Sequence, residues 1–109
     1  MQRPLRIHFH GVDHSPAVEE RVREAAEKLE TFHERITSCR VTIDASHRSQ
    51  EKGTLYKVTV DLVIPGAELV VSSCPGDERE HEDVYVAIRD AFDTTRRRLQ
   101  NFVERHRER

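Results

Sequence analysis

Tryptophan is absent from the 109 residues, which hold four glycines, four prolines, two cysteines and one methionine. So few glycines leave little backbone able to cradle a nucleotide, and no G-x-S-x-G, glycine-rich phosphate loop, C-x-x-C or H-E-x-x-H occurs. The chain is therefore read as a non-enzyme, with no catalytic residue, no cofactor and no small-molecule substrate. Cys39 and Cys74 lie far apart in sequence and read as reduced thiols without a role. No apolar run approaches the roughly 18 residues of a membrane span, and no apolar stretch follows Met1, so no membrane partner is expected and the expected location is the cytoplasm.

Charge is what the sequence has in quantity. Charged residues make up 35% of the chain and hydrophobic residues 36%, so the core is thin and the surface densely ionic, yet the apolar positions are too regular for disorder. The net charge of −2 argues against a uniformly basic nucleic-acid binder. Its distribution reverses that impression. From Val84 to Arg109 seven arginines face four acids, while Gly76 to Asp83 carries five acids and Arg79, so an acidic loop masks a basic C-terminal segment.

The apolar pattern predicts six elements in one domain spanning residues 1–109. Leu5, Ile7 and Phe9 alternate with Arg6, His8 and His10, as in a strand with one buried face. Ser15 and Pro16 form a helix start, and Val18, Val22, Ala25, Leu29, Phe32 and Ile36 mark the buried stripe of a helix of about six turns. Cys39, Val41, Ile43 and Ala45 form a second strand, Ser46 to Gly53 a polar hairpin loop, and Tyr56 to Ile64 a third strand. Pro65-Gly66 turns the chain into a fourth strand over Glu68 to Ser73. Asp83 caps a second long helix with Val84, Ile88, Ala91, Phe92, Thr95, Leu99, Phe102 and Val103 on its buried side.

The order is β-α-β-β-β-α. A right-handed crossover makes the first two strands parallel, giving an α+β fold with a four-stranded mixed sheet and both helices on one face. The other sheet face, with Arg6, His8, His10 and Arg40, is left open. The first few residues and those beyond His106 are expected to fray.

Seven histidines invite a metal site, and His8 and His10 share a strand face. A third ligand would have to come from the distant His14, His33, His47 or His81, and no metal is assigned. The stronger feature is Arg96-Arg97-Arg98, with Arg89 upstream and Arg105 downstream on the same helix. Guanidinium groups in such a ridge suit phosphate in charge and bidentate geometry. The plainer alternative is a solvated face, with Asp93 pairing Arg97 at i+4.

Two further stretches stand out, Lys28-Leu29-Glu30-Thr31-Phe32-His33-Glu34-Arg35-Ile36 on the first helix and Asp83-Val84-Tyr85-Val86-Ala87-Ile88 opening the second. The first is similar to the K-L-E-x-[YF]-x-[DE]-R-I, and the second to the D-M-Y-A-A-I-D, of the ribosome hibernation promoting factor and ribosome-associated inhibitor family, so both helices resemble those of that family. Asp93 to Arg97-Arg98-Leu99 resembles D-K-L-x-R-Q-L, with Thr94 and Thr95 where the family carries lysine after the aspartate, and Pro65-Gly66 before Glu68-Leu69 resembles the G-G-E-[LI] turn. The resemblance covers nearly the whole chain and implies the fold derived above. It implies binding to the small ribosomal subunit and its ribosomal RNA, between head and body, with steric silencing of initiation under stress. Lys28 and Arg97 match the family's RNA-contacting positions. Arg89, Arg96, Arg98 and Arg105 follow from the charge argument, Arg40 and Lys57 are further candidates on strands, and Tyr85 and Ile88 are assigned to the core. The chain resembles the family's short form, without the C-terminal dimerisation domain of longer members. Two other readings remain: a double-stranded-RNA-binding module acting off the ribosome, and a protein-interaction module whose acidic loop and open sheet face meet a protein.

Overall fold

The computed structural model describes residues 1–49, 53–72 and 83–107. Cys74, nearly all of the acidic loop and the last two residues lie outside the described residues. The elements are β1 (Arg6–His10), α1 (Pro16–Phe32), β2 (Ser38–Ser49), β3 (Gly53–Ile64), β4 (Ala67–Ser72) and α2 (Val84–Arg107). The strands lie in the order β1-β2-β3-β4, with β1 parallel to β2 and the other pairs antiparallel, so the predicted α+β topology is the one observed.

The strand periodicity places one apolar row per strand beneath the helices. Val41 and Ile43 of β2 and Val58, Val60 and Leu62 of β3 are fully or almost fully buried, and they pack in one cluster with Val22 and Leu29 of α1 and Ile88 and Leu99 of α2. Both helices therefore cover the same face. Within α2, Thr95 is also buried, and its hydroxyl donates to the Ala91 carbonyl at 2.7 Å, which satisfies the one polar side chain in an apolar stripe. Cys39 belongs to this core, and burial, followed by the negative field of Asp61 and Glu30, pushes its thiol up to about 12.

Both predicted helix starts are present. Ser15 Oγ accepts from the Val18 amide at 3.3 Å with Pro16 at the first turn, and Asp83 Oδ1 accepts from the Tyr85 amide at 2.9 Å. Gly11, between β1 and α1, has φ +76°, and a Cβ there would stand 2.8 Å from the Ala45 carbonyl oxygen of β2. Gly11→Ala is expected to cost roughly 1–3 kcal/mol from the backbone conformation, with the clash in addition, read as a fall in the chemical-denaturation midpoint.

Three expectations are corrected. First, α1 ends at Phe32, where His33 turns extended (φ −143°, ψ 111°), so it is shorter than the six turns expected. Ile36 is buried from the following turn rather than from the helix, and Ala26, not Ala25, is the more deeply buried alanine. An apolar residue at the right spacing can be buried by a turn as well as by a helix, and periodicity cannot tell the two apart. Second, β2 and β3 run on into the segment expected as a loop, pairing Ser46 with Leu55 and Ser49 with Gly53 across an irregularity. β1 pairs no further than Asp44 and β4 no further than Thr59, so this part is a two-stranded arm beyond the other strands. Its ladder bonds are made by backbone and need no apolar side chains. Third, the N-terminus is tied down rather than frayed. The Gln2 and Arg3 amides donate to the Ile36 and Thr37 carbonyls at 3.2 and 3.0 Å, and the Met1 ammonium pairs with Glu30 of α1.

The two helices run parallel. β1, β2 and β4 share one direction, and each helix returns against it, bringing Arg21 of α1 to Tyr85 of α2 and, three turns on, Phe32 to Arg96. No helix among the described residues is long and apolar enough to cross a membrane.

Candidate nucleic-acid interface

Arg21 and Lys28 stand seven residues apart on α1, and Arg89 and Arg96 seven apart on α2. Seven residues are close to two helical turns, so each pair projects from one side of its helix, about 10 Å apart along the axis. Parallel packing sets the pairs opposite each other across a groove of about 540 Å³. Its floor is apolar, with Leu29, Ile88 and Phe92, while Glu24 and Asp93 line it beside the four cations.

Aromatic rings hold the two ends. The Arg21 guanidinium carbon lies 4.7 Å from the Tyr85 ring centroid, and that of Arg96 lies 4.9 Å from the Phe32 centroid. These contacts correct two sequence assignments. Phe32, expected in the buried stripe, is 38% exposed, because the last residue of α1 faces the rim rather than the sheet. Tyr85, assigned to the core, is half-buried: it packs on the core and also supports Arg21. Ile88 is buried as expected.

The structure divides the basic residues named from sequence among three places. Lys28, Arg89 and Arg96 meet at the groove, where Lys28 has no ion-pair partner among the described residues and Arg89 lies 3.6 Å from Asp90. Arg97 is exposed on the outer flank of α2, where it donates to Thr94 Oγ1 at 3.4 Å; the expected pairing with Asp93 is not made. Arg98 is on the other side of the helix, donating to the Val70 carbonyl at 3.3 Å on the outer strand β4, and Arg105 shares that side two turns on. An arginine on an edge carbonyl also blunts the edge against pairing with another strand. Arg40 and Lys57 lie on the open sheet face, away from the helices. Arg21 was missed in the sequence, although its seven-residue spacing from Lys28 on a helix was there to be found.

The open face has electrostatics of its own. Register aligns Arg6, Arg40, Asp61 and Val70 in one row across all four strands. Arg40 pairs with Asp61 at 3.4 Å and, with Arg3 and Arg6, borders a hollow of about 190 Å³. His10 meets Asp44 at 3.0 Å. Asp61 Oδ1 is buried and has no donor among the described residues while its neighbours are ionised. Glu68, diagonally across from Asp61 on β4, can supply one when protonated. Its carboxyl is held above the ordinary range first by that hydrogen bond and then by the Asp61 charge. A raised carboxyl favours folding most fully below its unfolded pKa, and this contribution is lost as pH rises through the folded value. Glu68→Gln keeps a donor without the charge, so it is expected to raise the melting temperature at pH 7 and to match the native chain near pH 4.

On α1, Glu19 accepts from His14 and from Arg23 at 2.7 Å, and these bonds, His14 first, lower its carboxyl. Among the described residues no group of three or more His, Cys, Asp or Glu is placed to hold a metal ion.

A helical layer with a cation-cornered groove, backed by a mixed sheet whose far face is polar and open, defines a class of small two-layer α+β modules. Within that class the chain belongs to the Sigma 54 modulation protein / S30EA ribosomal protein family, whose model matches residues 5–107. It is 31% identical over 105 residues to a ribosome hibernation promoting factor from Azotobacter vinelandii, a match covering 96% of this chain and 87% of that one. Its fold is similar to that of a ribosomal subunit interface protein from Coxiella burnetii (TM-score 0.73, 15% identity, 90% of this chain and 94% of the other). It is also similar to the Protein Y N-terminal domain of Thermus thermophilus (TM-score 0.65, 15% identity, 89% and 94%).

Proposed function

We propose that this chain binds the small ribosomal subunit through its ribosomal RNA, in the cleft between head and body, and silences initiation by occupying the path of mRNA and tRNA. Family membership supports the ribosome as its setting, and the cytoplasm as its location. The observation that carries the RNA reading is the placement of cations on both faces of a chain whose net charge is only −2. The groove presents Arg21, Lys28, Arg89 and Arg96 on one side, and Arg40 and Lys57 stand on the other. A module wedged between two RNA walls needs phosphate-binding groups on both faces, placed there even where the net charge of the chain is small. Arg97, Arg98 and Arg105 extend the contact along the flanks of α2. The action is steric: no bond is made or broken.

Co-sedimentation of the purified chain with small subunits at low and moderate salt tests this. Binding that weakens as salt rises is the expected result. Equal affinity for generic duplex RNA would turn the reading to an RNA-binding module acting off the ribosome. Salt-insensitive binding would mark the charged groups as solvated surface and the partner as protein.

A further inference from the structure

We propose that the groove between α1 and α2 is a nucleobase pocket that takes a single unstacked guanine from an RNA strand, and not merely a row of phosphate contacts. This rests on the RNA reading above and refines it. Asp93 has Arg89 four residues before it, Arg96 three after and Arg97 four after, spacings at which ion pairs ordinarily form on a helix. It pairs with none of them. Arg89 turns to Asp90, Arg96 lies over Phe32, and Arg97 donates to Thr94. Among the described residues an acceptor-only carboxylate is thus left at the groove without a donor, beside Lys28, which there lacks an acceptor.

A phosphate-only site has no use for a carboxylate, which repels the ligand. A base does. Guanine offers two parallel donors, N1–H and the N2 amino group, that a carboxylate accepts in bidentate fashion, whereas uracil offers one imino donor flanked by two carbonyls. The remaining features fit the same occupant. The apolar floor of Leu29, Ile88 and Phe92 receives a flat ring, and the guanidinium groups lying over Tyr85 and Phe32 offer platforms of the kind on which unpaired RNA bases lie. The four corner cations hold the flanking phosphates. The volume, about 540 Å³, lies within the roughly 300–1,000 Å³ of small-ligand clefts.

The test is fluorescence anisotropy with two labelled RNA hexamers of equal charge, hexauridylate and the same strand with one central guanosine, at low salt. The guanosine strand is expected to bind at least about fivefold tighter, as one bidentate base contact provides. Asp93→Asn, an exposed substitution that leaves the core intact, collapses this ratio towards unity while strengthening hexauridylate binding. Tyr85→Leu lowers affinity for the guanosine strand. Equal affinity of the native chain for both strands, or binding to small subunits with neither hexamer bound, would overturn the pocket and leave the ribosomal reading standing. Binding to neither hexamers nor subunits would overturn both.

Discussion

If the proposed interface holds, replacing Lys28, Arg89 and Arg96 together by alanine is expected to weaken binding to small ribosomal subunits on the order of 10²-fold at 0.1 M salt and to flatten its salt dependence. The magnitude follows from counterion release. Each phosphate contact adds roughly 0.7–0.9 to the slope of log K against log salt, so three lost contacts lower the slope by about 2–3 and, at 0.1 M, the affinity by about two decades. The deficit shrinks as salt rises, because the native chain is losing the same contribution to screening. None of the three is buried, and none makes a contact that the core depends on, so the melting temperature stays within a few degrees of the native value. A triple variant that sediments with subunits as the native chain does, with an unchanged slope, would remove the helical groove from the interface and leave the open sheet face and the flanks of α2.

Leu99→Ala has the largest effect on stability. Leu99 is fully buried on α2 in the cluster with Val22, Leu29, Val41 and Val60, where the truncated side chain would leave a cavity in a close-packed interior. Such a change costs about 2–5 kcal/mol, against a total of about 5–15 kcal/mol for a domain. The expected drop in melting temperature is at least about 8 °C, measured by thermal unfolding, while Leu99→Met, which conserves volume, costs less than about 1.5 kcal/mol. Equal stability of the two variants would show that α2 is not packed as described. The experiment also bears on the groove, because Arg89 and Arg96 reach their places only while the Leu99 side of the same helix is held against the sheet.

Most of the architecture was legible in the sequence because its determinants are local. Alternation in Leu5-Ile7-Phe9 and in Cys39-Val41-Ile43 follows from the two-residue period of a strand. The Ser15-Pro16 and Asp83 starts follow from the helix's orphan amides, and the turn at Pro65-Gly66 is made by Gly66 at φ +89°. Misreadings fell where a local signal has two structural meanings. Ile36 has helical spacing but is buried by a turn, and Ser46 to Ser49 has loop polarity but pairs as a strand.

The candidate site was legible as a list of cations and not as a place. Element order and the buried face of each element follow from periods of two or 3.6 residues within one segment, and the concentration of arginine on α2 from composition alone. It took the packed chain to set α1 and α2 parallel, to lay Arg21 and Arg96 over aromatic rings of the opposite helix, and to turn Arg40 and Lys57 away from Lys28 and Arg89. Those facts depend on how the sheet's strand order brings together two helices about fifty residues apart in the chain, and no property of either helix alone encodes that meeting.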